Sequence, residues 1–362
     1  MKKFAVFSGF LGSGKTTAMI ALTRYYSTHH GKAAMISNDL GEGVTLADHR
    51  LAVLSGVKAS EITDECICFC HDVLTDRLKA CYDEGCELVL SDIPGFGVGA
   101  LEHVYHGLTA EYPGQFDLAP FTVLIEPQKV ERLKRDSSEE ERAGTVYDDA
   151  VFILRAQLSE ADLIVLNKCD LLTDEEVSAY GIWLSEAFPQ AEVIPISAKT
   201  GAGLEALSAA LKAGSASLRH PDIDYEDENL QNAMDCLSEY YLQYHAEVCC
   251  NDFNGTEYLA DMARKAQEVL KDGGFEVPHL KLLAWDAEGD FGKVDLLGID
   301  RPVEITRQFQ RPCTGIAVIL NASAACPADV LDRVLMNAVT DVSARYQLEL
   351  LIHRREFFSL GE

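Results

Sequence analysis

The chain has 362 residues, of which 48% are hydrophobic, so it is long enough for two domains with a sizeable core. Its formal net charge of −27 argues against a nucleic-acid or membrane partner, because such a surface repels phosphate groups. No apolar run approaches the roughly 18 residues of a membrane span, and the start MKKFAVFSGF has no signal-peptide core, so we expect a cytoplasmic location. The 11 cysteines are then expected to be buried, reactive or metal-bound rather than disulfide-bonded.

A glycine-rich loop follows the first predicted strand. Residues 4–8, FAVFS, read as a buried strand, residues 9–17 read GFLGSGKTT, and a helical stretch comes next. This is the P-loop pattern in its strand–loop–helix context. In that pattern Lys15 reaches the β- and γ-phosphates, the Thr16 hydroxyl ligates magnesium, and backbone N–H groups converge on phosphate oxygens. We therefore predict a phosphate site formed by Gly9, Gly12, Ser13, Gly14, Lys15, Thr16 and Thr17.

Residues 61–71, EITDECICFCH, place three thiols and an imidazole within six positions. In an extended strand Cys66 and Cys70 would be about 13 Å apart, too far to share a zinc ion with bonds of about 2.3 Å. A shared metal therefore requires a tight turn, or two thiols and a ligand from elsewhere. Three thiolates suit zinc, copper(I) or cobalt(II), whereas buried packing and a labile redox cluster are the alternatives. The candidate metal ligands are Cys66, Cys68, Cys70 and His71.

The stretch LVLSDIPG, residues 88–95, predicts a buried strand that ends at Asp92. Asp92 can hold magnesium through water, and the Gly95 N–H can contact the γ-phosphate. Asp39 and Glu42, in the loop after the second predicted strand, are candidates for holding magnesium or the attacking water. A solvated loop carboxylate is the alternative for both.

The base is predicted from residues 163–170, LIVLNKCD, a strand that runs into an Asn-Lys-x-Asp motif. A carboxylate at Asp170 can accept hydrogen bonds from the ring N1–H and the exocyclic amino group of guanine, a donor pair that adenine lacks. Residues 197–199, Ser-Ala-Lys, follow another apolar strand and fit the loop over the guanine O6. The guanine site is thus expected to contain Asn167, Lys168, Asp170, Ser197, Ala198 and Lys199.

The predicted elements indicate an α/β P-loop GTPase domain with a mostly parallel, doubly wound sheet, followed by a smaller C-terminal α+β domain. The N-terminal domain is expected to span 1–218 and the C-terminal domain 229–362, with a serine-, proline- and acid-rich linker at about 214–228. Strands are expected at 4–8, 33–37, 88–91, 121–125, 163–166 and 193–196. In the C-terminal domain we predict helices at 229–248, 256–272 and 327–346, with strands at 280–285, 293–299, 315–322 and 347–353.

The order of these motifs resembles the CobW-like GTPases, cobalamin-synthesis-related metallochaperones in the same class as the urease and hydrogenase nickel-insertion GTPases. The resemblance is carried by GFLGSGKTT, by NDLGE at 38–42, by EITDECICFC at 61–70, by Gln157 before Ala161-Asp162, and by His279-Leu280-Lys281. Phe69 splits the family's adjacent cysteines, Glu65 replaces a glycine, and residues 92–95 read DIPG, which indicates a divergent branch. The resemblance implies a metal at the cysteines, close to the expected switch I region at 38–48.

The combined prediction is a cytoplasmic GTPase that uses GTP and magnesium and delivers zinc, cobalt or a cobalamin-related cofactor to a client. Lys15, Thr16, Asp92 and Glu42 would serve catalysis. No arginine finger is evident, so turnover should be slow alone, and a homodimer or the client would complete the site. The client would be a metalloprotein or a corrinoid-dependent enzyme. Two alternatives involve no metal carriage: a GTP-gated protein chaperone for a corrinoid enzyme, and a regulatory GTPase switch.

Overall fold

The computed structural model describes residues 2–41, 47–136, 146–249 and 251–361. Contacts divide the chain into two compact units. The first unit consists of Met1–Leu40 and Ser55–Leu230, and the second of Gly41–Leu54 and Gln231–Glu362. The ranges expected from the sequence, 1–218 and 229–362, remain a proposal for the functional domains. Within the described ranges, every helix is too short or too polar to cross a membrane.

The first unit is built on a parallel sheet, as predicted. In chain order its strands are β1 (Lys3–Ser8), β2 (Ala33–Asn38), β3 (Ala59–Ile62), β4 (Leu88–Asp92), β5 (Asp117–Leu118), β6 (Thr122–Ile125), β7 (Leu163–Leu166) and β8 (Glu192–Pro195). The sheet order is β3-β2-β4-β1-β6-β7-β8, and β5 pairs with β1. β1, β2, β4, β6 and β7 are buried along their whole length, which explains why they read as continuous apolar runs.

The helices up to residue 213 are α1 (Lys15–His29), α2 (Ala47–Leu54), α3 (His71–Asp83), α4 (Gly107–Glu111), α5 (Pro127–Asp136), α6 (Val146–Glu160), α7 (Asp174–Ala187) and α8 (Leu204–Ala213). A π-helical turn, Leu101–His106, leads into α4, and a 3-10 turn, Cys169–Leu171, follows β7. Residues 214–227 form neither helix nor strand. Of these helices, α2 alone falls in the second unit.

The parallel arrangement determines where functional groups collect. The carboxyl ends of parallel strands meet at one edge of a sheet, and ligands bind outside that edge. The P-loop follows β1, Asn38 ends β2, the cysteine segment follows β3, and Asp92 ends β4. On the other side of β1, Asn167 follows β7 and Ser197 follows β8.

The second unit contains an antiparallel sheet of order β12-β11-β10-β13-β9-β14. Helix α9 (Glu228–Asp235) crosses the boundary between the units, which lies after Leu230. The elements that follow it are β9 (Ser238–Val248), α10 (Gly255–Asp272), β10 (Glu276–Trp285), β11 (Phe291–Leu296), β12 (Glu304–Arg307), β13 (Gly315–Ala325), α11 (Ala328–Arg345) and β14 (Leu348–Ser359). Apolar side chains of α10 and α11 form one core with the sheet. The α+β architecture predicted for this part of the chain is therefore confirmed, and its sheet is antiparallel.

Helix α2 packs on the same sheet, although it lies far away in the sequence. Asp48 forms an ion pair with Lys281 at 3.0 Å, and the Arg50 guanidinium lies 4.2 Å from the centre of the Trp285 ring. Lys281 and Trp285 alternate along β10 with Leu280, Leu282 and Ala284, which join the core under α10 and α11. Consequently α2 covers the opposite face of the sheet.

The predicted helix at 229–248 is wrong for most of its length. The helix ends at Asp235, and Ser238–Val248 is strand β9. β9 pairs with β13 on one side and with β14 on the other, so both of its edges are hydrogen-bonded within the sheet. Tyr240 and Tyr244 join the core, and Tyr241 packs with Phe358 on the other face. Long-range pairing of an aromatic-rich strand has overridden a local helical pattern.

Candidate functional site

The P-loop backbone forms a cradle that only glycine permits. Gly9, Gly12 and Gly14 have φ angles of +134°, +80° and +91°. A Cβ on Gly9 would lie 2.4 Å from the Leu124 carbonyl oxygen, and one on Gly14 would lie 2.5 Å from Asn167 Nδ2. The loop therefore approaches its neighbours closely, as a backbone that binds phosphate oxygens must.

The polar groups of this cradle fit a bound nucleotide and magnesium. Lys15 begins α1, and its Nζ donates to the Gly9 carbonyl at 2.5 Å, folded back over the loop. The Ser13 hydroxyl is buried, and it has no hydrogen-bond partner in the part of the chain that is described. Thr16 and Thr17 lie in the first turn of α1, half-buried and exposed respectively. An orphaned hydroxyl beside a lysine and a threonine suits a group that supplies phosphate oxygens and a cation.

The guanine motif is joined to the P-loop through Asn167. Its Nδ2 donates to the Ser13 carbonyl at 2.9 Å, and its Oδ1 accepts the Ala198 N–H at 3.1 Å. Asp170 Oδ1 accepts the Ser197 hydroxyl at 2.6 Å. Lys199 is exposed next to Ala198. The structure thus brings the predicted phosphate and guanine residues together at one edge of the sheet.

Glu126 is a buried carboxylate beside the guanine motif that the sequence prediction missed. It directly follows β6, it is 2% exposed, and its two oxygens each lie 2.5 Å from a lysine ammonium, those of Lys129 and Lys168. A buried carboxylate paired with two cations fixes the direction of the Lys168 stem, whose backbone has a φ of +63°. Its place directly after a central strand, where functional groups collect, was the one feature of the sequence that could have indicated this role.

The loop after Asp92 is held by two side chains of α6. Asp92 itself is 5% exposed at the end of β4. Gln157 Nε2 donates to the carbonyl of Gly95 at 3.0 Å and to that of Gly97 at 2.9 Å. A Cβ on Gly95 would lie 2.4 Å from Leu11 Cδ2, so the predicted γ-phosphate contact is packed against the P-loop.

Glu160 is the second side chain of α6 that holds this loop, and the sequence prediction missed it too. Its carboxylate accepts the N–H of Gly99 at 2.7 Å and the N–H of Leu101 at 2.8 Å. Burial raises the pKa of Glu160 to about 7, although these backbone donors and the Arg219 guanidinium favour the ionised form. The loop that carries Gly95 is therefore fixed at both ends by α6.

The three cysteines lie in one tight turn after β3, the geometry that a shared metal would require. The Phe69 N–H donates to the Cys66 carbonyl at 2.9 Å, and the Cys70 thiol lies 3.4 Å from that same carbonyl. The Cys68 backbone N–H lies 3.5 Å from Cys66 Sγ. Phe69, which splits the expected adjacent pair, is 68% exposed, whereas Ile67 is fully buried.

The thiols differ in their ease of ionisation. A hydrogen bond with the Cys68 side chain lowers the pKa of Cys66, and the same bond, with burial, raises the pKa of Cys68. Burial raises the pKa of Cys70 to about 11. Cys66 is half-buried and the other two are buried. Cys66 is therefore the readiest thiolate of the three.

The remaining predicted ligands lie apart from these contacts or outside the described residues. His71 begins α3, and its Nδ1 lies 3.1 Å from Glu111 Oε1. Asp39 Oδ1 accepts the Leu40 N–H at 2.9 Å, and Glu42 falls outside the described residues. With the side chains as they stand in the described ranges, no three histidine, cysteine, aspartate or glutamate residues are placed to hold one ion.

Comparison with known proteins identifies the family. Residues 3–195, more than half of the chain, match the family model "CobW/HypB/UreG, nucleotide-binding domain". The zinc chaperone YeiR of Escherichia coli (strain K12) is 30% identical over 189 residues, which cover 51% of each protein. The chain thus matches about half the length of this curated relative.

Solved structures give more distant similarities. HypB from Helicobacter pylori in complex with nickel is 18% identical, with a TM-score of 0.39, and the match covers 57% of this chain and 83% of that one. Zn(II)-bound YjiA GTPase from E. coli is 12% identical, with a TM-score of 0.37, over 93% and 98% of the two chains. The assignment rests on the sequence match: the chain belongs to the CobW/HypB/UreG family and carries its nucleotide-binding domain, with a P-loop GTPase fold.

Proposed function

We propose that this protein is a GTPase metallochaperone that holds a thiophilic metal at the Cys66–Cys70 turn and releases it to a client protein according to the bound nucleotide. Zinc is the first candidate, because the matched relative is a zinc chaperone, and cobalt or a cobalamin-related cofactor is the second. The client would be a metalloprotein or a corrinoid-dependent enzyme. All ten described cysteines are free, which is compatible with action in the reducing cytoplasm.

The nucleotide half of the proposal assigns one task to each group. Lys15 and the P-loop N–H groups bind and orient the phosphates, while Asn167 and Asp170 hold the guanine base. Magnesium, held by Thr16 and through water by Asp92, would neutralise charge on the phosphates. Gln157 and Glu160 keep the Gly95 loop in place beside the γ-phosphate. The sequence shows no arginine finger, so we expect slow hydrolysis unless a second copy or the client contributes to the site.

A single observation carries the metal half: the chain folds three thiols into one turn at the same sheet edge as the P-loop and Asp92. Cysteines in this turn would form a site of thiolate donors, which selects zinc, copper(I) or cobalt(II) and excludes magnesium and calcium. Because the side chains as they stand do not surround one ion, binding would require thiol rotation within the turn. Residues that position the turn could therefore control whether the thiols bind a metal.

The test is a titration of the reduced, metal-free chain with cobalt(II), with either a magnesium–GTP analogue or magnesium–GDP bound. The thiolate-to-cobalt charge-transfer band reports binding. We expect one cobalt per chain, loss of the band in Cys66→Ser, and different affinities in the two nucleotide states. Cys249→Ser, which removes an exposed thiol of the second unit, is the matched control and should change nothing. Absence of a thiolate band in both nucleotide states would overturn the metal-carrier proposal.

A second candidate is a GTP-gated protein chaperone that carries no metal. It is favoured by the burial of Cys68 and Cys70, which could be packing residues. Under this alternative, the client should be captured by immobilised protein in one nucleotide state only, and equally well by the Cys66→Ser variant. A metallochaperone should lose metal transfer in that variant.

A further inference from the structure

Asn38 connects the nucleotide site to the cysteine turn. It ends β2, and it is 4% exposed. On one side its backbone N–H donates to Asp92 Oδ1 at 3.0 Å. On the other side its side chain makes three hydrogen bonds, and all of them are to the backbone of the segment that carries the cysteines.

These three bonds bracket Cys66. Asn38 Nδ2 donates to the Glu65 carbonyl at 2.8 Å and to the Ile62 carbonyl at 3.2 Å. Asn38 Oδ1 accepts the Ile67 N–H at 3.0 Å. One amide side chain therefore holds the peptide groups immediately before and after Cys66. The bonds set the backbone orientation from which the Cys66 thiol projects.

An asparagine is required for this arrangement. Only a carboxamide of this length offers two donors and an acceptor together. Aspartate would present oxygen to the Glu65 and Ile62 carbonyls, and serine would be too short to reach both sides. Either change would leave buried backbone groups unsatisfied, which proteins avoid.

We propose that Asn38 is a positioning residue that transmits the state of Asp92 to Cys66, and this rests on the GTPase metallochaperone function proposed above. If Asp92 helps to hold magnesium, as proposed above, a shift of its carboxylate would pull on the Asn38 N–H. The Asn38 side chain carries that movement to the peptide groups on both sides of Cys66. The nucleotide thereby changes the direction and exposure of the Cys66 thiol without touching it. This is a coupling between two sites through one shared hydrogen-bonded element.

The first readout needs no metal. The full reduced chain is loaded with the magnesium–GTP analogue or magnesium–GDP, and the rate of Cys66 alkylation by iodoacetamide is measured by site-resolved mass spectrometry. In the wild type we expect rates that differ at least threefold between the two nucleotide states. In Asn38→Ser the rates should agree within a factor of about 1.5. Asn321→Ser, which alters a buried asparagine of the second unit, should retain the wild-type ratio.

The second readout is cobalt(II) affinity under the same conditions. A coupling of the usual strength corresponds to an affinity ratio of about fivefold or more between nucleotide states. The ratio should fall below twofold in Asn38→Ser, while nucleotide affinity and stoichiometric metal binding persist. Asn38→Asp serves the same purpose if the serine variant unfolds. A purely structural asparagine would lower both affinities together and leave the ratio intact.

The outcomes separate the two proposals. Nucleotide-dependent alkylation that Asn38→Ser abolishes, without any thiolate–cobalt band, would sustain the coupling and reject metal carriage. Equal alkylation in both nucleotide states of the wild type would overturn the coupling, even if cobalt binds. An unchanged nucleotide ratio in a folded Asn38 variant would also overturn it.

Discussion

Replacing Glu160 with glutamine should change how the stability of the first unit depends on pH. Glu160 is 1% exposed and accepts two backbone N–H groups, those of Gly99 and Leu101. Burial raises its pKa from an ordinary value of 4.5 to about 7. Glutamine keeps the shape and one acceptor of the side chain, but it carries no proton that titrates in this range.

The direction of the effect follows from the order of deprotonation. Because the pKa is higher in the folded protein, the unfolded chain gives up its proton first as the pH rises. Glu160 therefore contributes most to stability below pH 4.5, and this contribution falls until about pH 7 and is then constant. The pKa difference corresponds to about 3 kcal/mol. Tyr225 and Cys68, which interact electrostatically with Glu160, have raised pKa values and do not titrate in this window.

The assay is urea unfolding at several pH values from 4.5 to 8, followed by Trp183 fluorescence in a Trp285→Phe background, which leaves a single tryptophan in the first unit. As the pH rises from 4.5 to 7, the free energy of unfolding of Glu160→Gln should increase by about 3 kcal/mol relative to that of the wild type. Glu175→Gln, at an exposed carboxyl of α7, should follow the wild-type curve. Parallel curves for wild type and Glu160→Gln would refute the reasoning.

Two further predictions concern nucleotide binding. Gly14→Ala should lower affinity for a fluorescent GDP more than tenfold, because its φ is +91° and the new Cβ would lie 2.5 Å from Asn167 Nδ2. Gly56→Ala is the control, since Gly56 has a φ of +73° but open space around its Cα, and equal losses would contradict the steric argument. Asp170→Asn should weaken GTP binding about 100-fold, the value of a lost charge-assisted pair of roughly 2–3 kcal/mol, as measured by calorimetry. Asp174→Asn should bind normally, and normal GTP binding by Asp170→Asn would contradict the guanine assignment.

The parts of the fold that the sequence predicted are those in which a local pattern has a local cause. GFLGSGKTT needs its glycines for its own backbone angles, and LIVLNKCD is a buried strand followed by its loop, so both were correctly located. Chain dimensions alone predicted that three thiols sharing one metal would need a tight turn, the alternative being two thiols and a ligand from elsewhere. Their use as metal ligands stays a prediction.

The misses share a different cause, since they depend on partners that are distant in the sequence. Strand β9 was predicted as a helix because its two neighbouring strands, rather than its own periodicity, determine its conformation. The partners of Glu126 and Glu160, two lysines and two backbone N–H groups respectively, become their neighbours only after folding, and for Glu126 its place after a central strand was the one signal in the sequence. For Asn38, the four hydrogen bonds to Asp92 and to the segment that carries the cysteines could not be predicted from its own position in the sequence.

The discontinuous second unit has a consequence for synthesis of the chain. Helix α2 leaves the ribosome long before the strand that carries Lys281 and Trp285, its partners in that unit. At the usual elongation rates of about 5–20 residues per second, the delay is on the order of ten seconds. During that interval the α2 segment, which lies within the nucleotide-binding sequence, has no sheet to pack against. A gene truncated after residue 230 would leave α2 in that condition permanently.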